Sequence, residues 1–272
     1  MKTLTIGFSP CPNDTFIFDA MIHGKIDTEG LKFTAVIEDV ETLNRKSLSE
    51  ELAITKLSFF AFSKVTDKYQ LLSSGSALGE GVGPILISKK KFNDPAKEIK
   101  SVAIPGKNTT AYFLFRMFYP ELTNVNEMVF SAIESAIQEN KVDAGVIIHE
   151  NRFTYEAKGL LKIADLGDLW EKKMQVPIPL GGIAIRRDLP EEVKKKVERI
   201  LRKSVEFAFA HPESSYAYVE AHAREMSAEV RKKHIDLYVN SYSIDLGETG
   251  KEAIHKMFSI IGESDENIFV TE

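Results

Sequence analysis

The chain has 272 residues, a formal net charge of −5 and a single cysteine. This length suits one large domain or two average ones, and 43% hydrophobic with 28% charged residues is typical of a globular protein. The acidic charge argues against a nucleic-acid partner, the lone cysteine excludes an intramolecular disulfide and a cysteine-rich metal centre, and no apolar stretch approaches the ~18 residues of a membrane span.

The N-terminus has the pattern of a strand. Residues 3–9 alternate between polar and apolar, and Pro10 and Pro12 follow at once. A secretory leader would instead need basic residues followed by about 7–15 apolar ones. We therefore predict a cytoplasmic protein.

Strand and helix patterns alternate through the first 73 residues. Strands are predicted at residues 4–8, 31–38, 52–58 and 70–73, and helices at 15–23, from 39 onward and at 59–64. Asn13 or Asp14 is expected to cap the first of these helices, and Gly24 to end it. The Gly/Ser-rich residues 73–84 have the composition of a crossing loop or hinge.

The middle of the chain repeats this alternation, and the end is helical. Strands are predicted at residues 85–87, 101–104, 128–130, 142–148, 161–166 and 183–186, and helices at 111–119, 131–140 and 167–173. Residues 177–182 are predicted to be a loop before the last of these strands. From Glu191 to the end the pattern is mostly helical.

This order predicts an α/β protein with mostly parallel sheets flanked by helices. Breaks near residues 80 and 180 divide the chain into a first lobe of residues 1–84 plus 181–272 and a second lobe of residues 85–180. Two crossings would join the lobes, and a small molecule is expected to bind in a cleft between them.

Thr109 and Thr110 stand in a turn between a predicted strand and a predicted helix. The first turn of a helix presents unpaired N–H groups and a partial positive charge, so these residues suit a carboxylate or a phosphate. The alternative is that one threonine caps the helix while the other faces solvent. Both interpretations stay open at this point.

His149 ends the apolar run VDAGVII at the carboxyl end of a predicted strand. A histidine can accept or donate a proton near neutral pH, so His149 is a candidate general base; a purely structural histidine is the alternative. The other histidines are expected to be structural or exposed: His23, His211, His222, His234 and His255.

Further polar candidates lie nearer the N-terminus. Ser9, Asn13 and Asp14 belong to an unusual double-proline segment, and Lys56 with Ser58 ends the third predicted strand. Cys11 lies in the same segment, and a packed thiol is a commoner role for it than a nucleophile. From the residues alone, a surface lysine is the simpler interpretation of Lys56.

Nucleotide and hydrolase motifs give no support to other chemistry. The run GEGVG at residues 79–83 precedes a strand and lacks the GxGxxG spacing. The sequence also contains no GxxxxGK[ST], HExxH or GxSxG.

Several segments, in this order, resemble one enzyme family: SPCPNDTFIF, EDVETLN, TKLS, LGEGVGP, PGKNTTAYFL, AGVIIHENRFTY and PLGGIAIRRD. The chain is similar to the 1,4-dihydroxy-6-naphthoate synthases of the futalosine route to menaquinone, from residue 5 to about residue 245. The resemblance implies a two-lobed periplasmic-binding-protein-like fold of type 2. It also implies a lyase that converts cyclic dehypoxanthinyl futalosine to 1,4-dihydroxy-6-naphthoate and a three-carbon sugar fragment.

The resemblance assigns roles to particular residues. The family's proton acceptor falls on His149, and its substrate contacts fall on Lys56, Leu57, Ser58, Thr109 and Thr110. No metal and no cofactor is expected, and the partner is a small carboxylate substrate without nucleic acid or membrane. Two alternatives remain: a solute-binding protein for a small anion, and the chorismate dehydratase of the same pathway and fold.

Overall fold

The computed structural model describes residues 2–223 and 226–271, except the side chain of Lys2. Contacts divide the chain into two compact units. The first unit is Met1–Gly79 with Pro179–Glu272, and the second unit is Glu80–Ile178. The chain thus passes twice between the units, once near residue 80 and once near residue 178.

Eleven strands lie in the described residues, and we number them in chain order: β1 Lys2–Phe8, β2 Leu31–Ile37, β3 Ile54–Ser58, β4 Tyr69–Leu71, β5 Ala77–Gly79, β6 Ile85–Ser88, β7 Val102–Ile104, β8 Val125–Glu127, β9 Ala144–Ile147, β10 Leu161–Asp165 and β11 Ile178–Arg186. Twelve α-helices accompany them in that part of the chain: α1 Pro12–Ile22, α2 Val40–Leu48, α3 Phe59–Phe62, α4 Pro95–Glu98, α5 Thr110–Phe118, α6 Ile133–Gln138, α7 Leu166–Met174, α8 Glu191–Ala210, α9 Tyr216–His222, α10 Ala228–Tyr238, α11 Ser241–Ile244 and α12 Gly247–Ile261. Short 3₁₀ turns occur at Phe130–Ala132, His149–Phe153, Glu156–Lys158 and Pro212–Ser215.

The sheet of the first unit has the order β2-β1-β3-β11-β4, with β5 also paired to β11. β1 runs parallel to β2 and β3, because helices α1 and α2 connect these strands as crossovers. β11 runs antiparallel to β3 and β4. The core beside this sheet contains Ile6, Phe8 and Phe18 together with Ile200 and Leu201 of α8.

The sheet of the second unit has the order β10-β6-β9-β7-β8. β7 is parallel to β8 and β9, whereas β6 is antiparallel to β9 and β10. The prediction of mostly parallel sheets is therefore wrong, since both sheets are mixed. Strands β6 and β11 each enter a new unit, so no crossover helix forces them to run parallel to their neighbours.

Other differences from the sequence-based expectations are local. The predicted strand at 128–130 is wrong, because the strand is β8 at Val125–Glu127 and a 3₁₀ turn follows it. The predicted loop at 177–182 is also wrong, because β11 begins at Ile178 and continues through it. Neither Asn13 nor Asp14 caps α1, since the N-cap is Cys11 with Pro12 in the first turn.

No helix in the described part of the chain is both long and apolar enough to cross a membrane.

Candidate active site residues

Asp14 and Lys56 form a buried ion pair in the first unit. Lys56 Nζ lies 3.1 Å from Asp14 Oδ1, and the two residues are 7% and 1% exposed. Asp14 also accepts hydrogen bonds from the Ser9 amide, the Ser9 hydroxyl and the Asn13 side chain, at 3.1, 2.7 and 2.8 Å. The interpretation of Lys56 as a surface lysine is therefore wrong. Ser9, Asn13, Asp14 and Lys56 thus form one cluster.

Ser58 ends β3 and is held by a side chain of α2. Its amide donates to Asn44 Oδ1 at 2.9 Å, and Asn44 Nδ2 donates to the Ser58 hydroxyl at 3.2 Å. Leu57, which resemblance assigns to the substrate, has a side chain fully buried in the core. Its backbone pairs with Gly182 of β11.

Cys11 is buried at the start of α1, close to His234, which the sequence predicts to be structural or exposed. Its Sγ lies within 4.8 Å of a ring nitrogen of His234, which is on α10 and fully buried. The His234 ring packs at 4.7 Å from the ring of Tyr238. No local pattern could reveal this contact, because the two residues are more than 200 positions apart in the chain.

The candidates of the second unit extend from one edge of its sheet. β7 and β9 are parallel neighbours, so their carboxyl ends lie at the same edge. The turn that carries Thr109 follows β7, and His149 follows β9. β6 begins at this edge as well, because Ile85 pairs with Ile147. Ligands of open α/β sheets commonly bind outside such strand ends.

Thr109 is the N-cap of α5. Its hydroxyl accepts a hydrogen bond from the Tyr112 amide at 3.1 Å and donates to the Gly106 carbonyl at 2.8 Å. Gly106 has a φ of 148°, which only glycine adopts readily. Thr110 is 2% exposed, so the expectation that the second threonine faces solvent is wrong. The Thr109 hydroxyl is therefore engaged in capping the helix.

His149 begins a 3₁₀ turn directly after the sheet edge. Its φ is 58°, in the left-handed region, and its side chain is half-buried. The imidazole packs edge-on against the ring of Phe130, with the centroids 4.9 Å apart. A titratable ring at this position, partly shielded from water, can accept a proton from a small molecule at the edge.

The residues after His149 connect their turn to the rest of the second unit. The Asn151 amide donates to Glu134 Oε2 on α6, and Arg152 contacts the Gly83 carbonyl and Asp165. Sequence analysis did not assign these residues. The only local signal was the polar run ENR after an apolar strand, and their partners are distant in the sequence.

Glu150 is the second residue of this turn and is half-buried. Desolvation by burial, reinforced by the nearby Glu134 carboxylate, raises the pKa of Glu150 above its ordinary value of 4.5, while Lys158 acts in the opposite direction. Oε2 of Glu150 has no hydrogen-bond partner among the described residues. This carboxyl therefore holds a proton more tightly than an exposed glutamate does.

Comparison with known proteins identifies the family. A family model described as menaquinone biosynthesis matches residues 4–263. The chain belongs to this menaquinone biosynthesis family. Two similar proteins are both named 1,4-dihydroxy-6-naphthoate synthase. One, from Thermus thermophilus, is 45% identical over 95% of this chain and 94% of its own length; the other, from Streptomyces coelicolor, is 41% identical over 94% and 92%. These relatives support an enzymatic role in menaquinone biosynthesis.

Several solved structures have the same fold as this chain. A protein from Archaeoglobus fulgidus is 36% identical, with a TM-score of 0.89 over 96% of this chain and 98% of that one. A Candida albicans protein described as having the periplasmic binding protein fold is 14% identical, with a TM-score of 0.70 over 98% and 94%. An alkanesulfonate-binding protein from Xanthomonas axonopodis is 12% identical, with a TM-score of 0.70 over 99% and 96%. The predicted periplasmic-binding-protein-like fold is confirmed.

Proposed function

We propose that this chain is a lyase that converts cyclic dehypoxanthinyl futalosine into 1,4-dihydroxy-6-naphthoate and a three-carbon sugar fragment. The identity of 45% and 41% to two relatives named for this product, along nearly their whole length, is the observation that carries the proposal. No comparably specific observation favours a solute-binding protein, since the binding proteins are similar in fold alone.

His149 is the proposed general base. His149 follows the carboxyl end of β9, and ligands of open α/β sheets commonly bind outside such strand ends. Neutral imidazole can remove a carbon-bound or hydroxyl proton from the substrate, which starts ring opening and loss of the fragment. Formation of an aromatic ring favours the products, so the proposed reaction proceeds without a metal or a redox cofactor.

The remaining candidates are proposed to bind the substrate. Its aryl carboxylate suits the N-terminus of α5, where Thr109 orders the first turn and Thr110 follows. Lys56, Leu57 and Ser58 are proposed to contact the sugar-derived part. Asp14, which accepts hydrogen bonds from Ser9 and Asn13, holds the Lys56 ammonium in place.

The test is an assay with purified protein and cyclic dehypoxanthinyl futalosine, without added metal or nucleotide, in which the naphthoate is separated and quantified by its absorbance. We expect turnover by the natural sequence. We expect His149→Asn to lower kcat by about 10²–10⁴-fold, because proton transfer by a positioned base contributes that much. Calorimetry should show that the variant still binds the substrate.

His211→Asn is the matched control, because His211 is exposed and has no proposed role. It should retain normal turnover. Full activity of His149→Asn would show that His149 is not the base. Tight binding of a substrate that is recovered unchanged from the natural protein would contradict the lyase and favour the solute-binding alternative. The cytoplasmic location stays a prediction, which cell fractionation can test.

A further inference from the structure

The backbone of His149 adopts a conformation that its own chemistry disfavours. Its φ of 58° is left-handed, whereas Ile148 before it is extended, with φ of −133° and ψ of 177°. A residue with a Cβ is crowded in the left-handed region and remains there when its surroundings hold it. The contacts of the following residues are therefore among those that hold this conformation.

Asn151 makes the most buried of these contacts. It is 5% exposed, and its Nδ2 donates to Glu134 Oε2 at 2.5 Å. Glu134 is itself buried on α6, and Lys158 Nζ lies 2.6 Å from the same oxygen. The Asn151 carbonyl accepts from the Thr154 and Tyr155 amides at 3.1 and 3.0 Å. The side chain of Asn151 thus joins the turn to a helix, and its backbone carbonyl closes the turn.

Helix α6 provides a fixed point for this contact. Ile133 and Ile137 of α6 belong to the core of the second unit, together with Ile147 of β9. Glu134 therefore has a defined position relative to the strand that ends just before His149. Phe130, in the 3₁₀ turn before α6, contacts the imidazole ring itself. The same segment, residues 130–138, fixes both the backbone and the ring of His149.

We propose that Asn151 is a positioning residue, whose amide bond to Glu134 holds His149 in its left-handed conformation with the imidazole at the sheet edge. The inference rests on the proposed role of His149, and it identifies the residue that holds the imidazole in position. A positioning role requires no contact between Asn151 and the substrate. Its loss should lower the chemical rate more than it weakens substrate binding.

Asn151→Asp tests the contact, because it replaces the amide donor with a carboxylate facing Glu134. We expect kcat to fall about 10–100-fold, since small misplacement of a catalytic group has effects of this size, with KM changed by less than about threefold. The double variant Glu134→Gln with Asn151→Asp reverses the donor and the acceptor. The double variant should recover at least half of the loss in log kcat.

Asn126→Asp is the matched control, because Asn126 is exposed on β8 of the same unit. It should behave like the natural protein. Asn151→Ser, which removes the amide without adding charge, repeats the test if Asn151→Asp folds poorly. A normal kcat in a folded Asn151→Asp or Asn151→Ser variant overturns the proposal. A loss that the double variant does not recover also overturns it.

A second measurement separates this inference from the proposed function. Histidine side-chain NMR signals can be assigned to His149 as those missing from His149→Asn. Asn151→Asp should shift these signals, and the double variant should restore them, whether or not the protein turns over the substrate. Absence of turnover in the natural protein would then contradict the proposed function alone. His149 signals that do not change in Asn151→Asp would contradict the positioning role.

Discussion

The Lys56–Asp14 pair shows how a charge can be kept inside the first unit. Removing two ions from water is unfavourable, and their mutual attraction offsets this only if the remaining polar atoms are also satisfied. Asp14 meets that condition, because Ser9 and Asn13 donate to it alongside the lysine. Lys56 is further placed 3.4 Å from the Gly75 carbonyl. The pair therefore fixes the double-proline segment against β3.

Replacing Lys56 with methionine should destabilise the protein by about 3–5 kcal/mol, because Asp14 would remain buried without its counter-ion. Adding Asp14→Asn should recover part of this loss, since the two residues interact directly. The free energy of unfolding in urea measures both effects. Lys97→Met is the control: it removes a 2.7 Å ion pair with Asp94 in which both side chains are exposed, and it should change little. Additive losses at positions 14 and 56 would contradict the coupling.

Residue-level prediction succeeded where the reasoning was local. The position of His149 at a strand end followed from an apolar run that stops at Ile148, and the structure has that arrangement. The burial of Lys56 was not predictable, because its partner approaches from α1 through tertiary packing. The Asn151–Glu134 contact was hidden for the same reason. The sequence could therefore indicate His149 as a candidate base, but not the distant residues that hold its turn.

At the scale of elements, the start of α5 combines capping with the proposed binding of an anion. The Thr109 hydroxyl accepts a hydrogen bond from the Tyr112 amide, and the proposed anion would lie at the positive end of the helix dipole. The apolar face of α5 anchors this N-terminus, since Leu114 and Phe115 are fully buried. Burial of the helix thus fixes the direction in which its dipole points.

Thr109→Ala should lower the free energy of unfolding by about 0.5–2 kcal/mol, because it removes the cap. Thr109→Ser should retain most of the stability, since the hydroxyl remains. Urea denaturation measures the difference, and Thr123→Ala, at an exposed position of the same unit, should lie within about 0.5 kcal/mol of the natural protein. Equal losses for the alanine and serine variants at position 109 would argue against the cap.

Most elements followed from hydrophobic periodicity, and the exceptions have physical causes. The proline- and glycine-containing residues 177–182 predict a loop, yet β11 begins at Ile178, and Gly181 and Gly182 pair with β3. Glycine is required at position 181, because a Cβ there would lie only 2.6 Å from the Leu57 carbonyl oxygen. Strand direction was likewise not predictable, because it depends on which neighbour a strand joins.

At the scale of the whole molecule, the second unit is continuous in sequence while the first unit is not. Residues 80–178 contain all five strands of their sheet, β6 to β10, and a core of their own. A contiguous segment with a complete sheet and a separate core satisfies the requirements for independent folding. The first unit needs two separate segments of the chain, because β11 of the second segment lies between β3 and β4 of the first.

A fragment of residues 80–178 should therefore fold alone and unfold cooperatively in urea. Trp170 is the single tryptophan of the chain, is fully buried in this unit and donates to the Pro177 carbonyl at 3.2 Å, so its fluorescence reports folding. A fragment of residues 90–178 is the control. It lacks β6, which joins β10 to β9, and should remain unfolded because β10 then has no neighbour in the sheet. A gradual, uncooperative transition in the longer fragment would show that the second unit needs the rest of the chain.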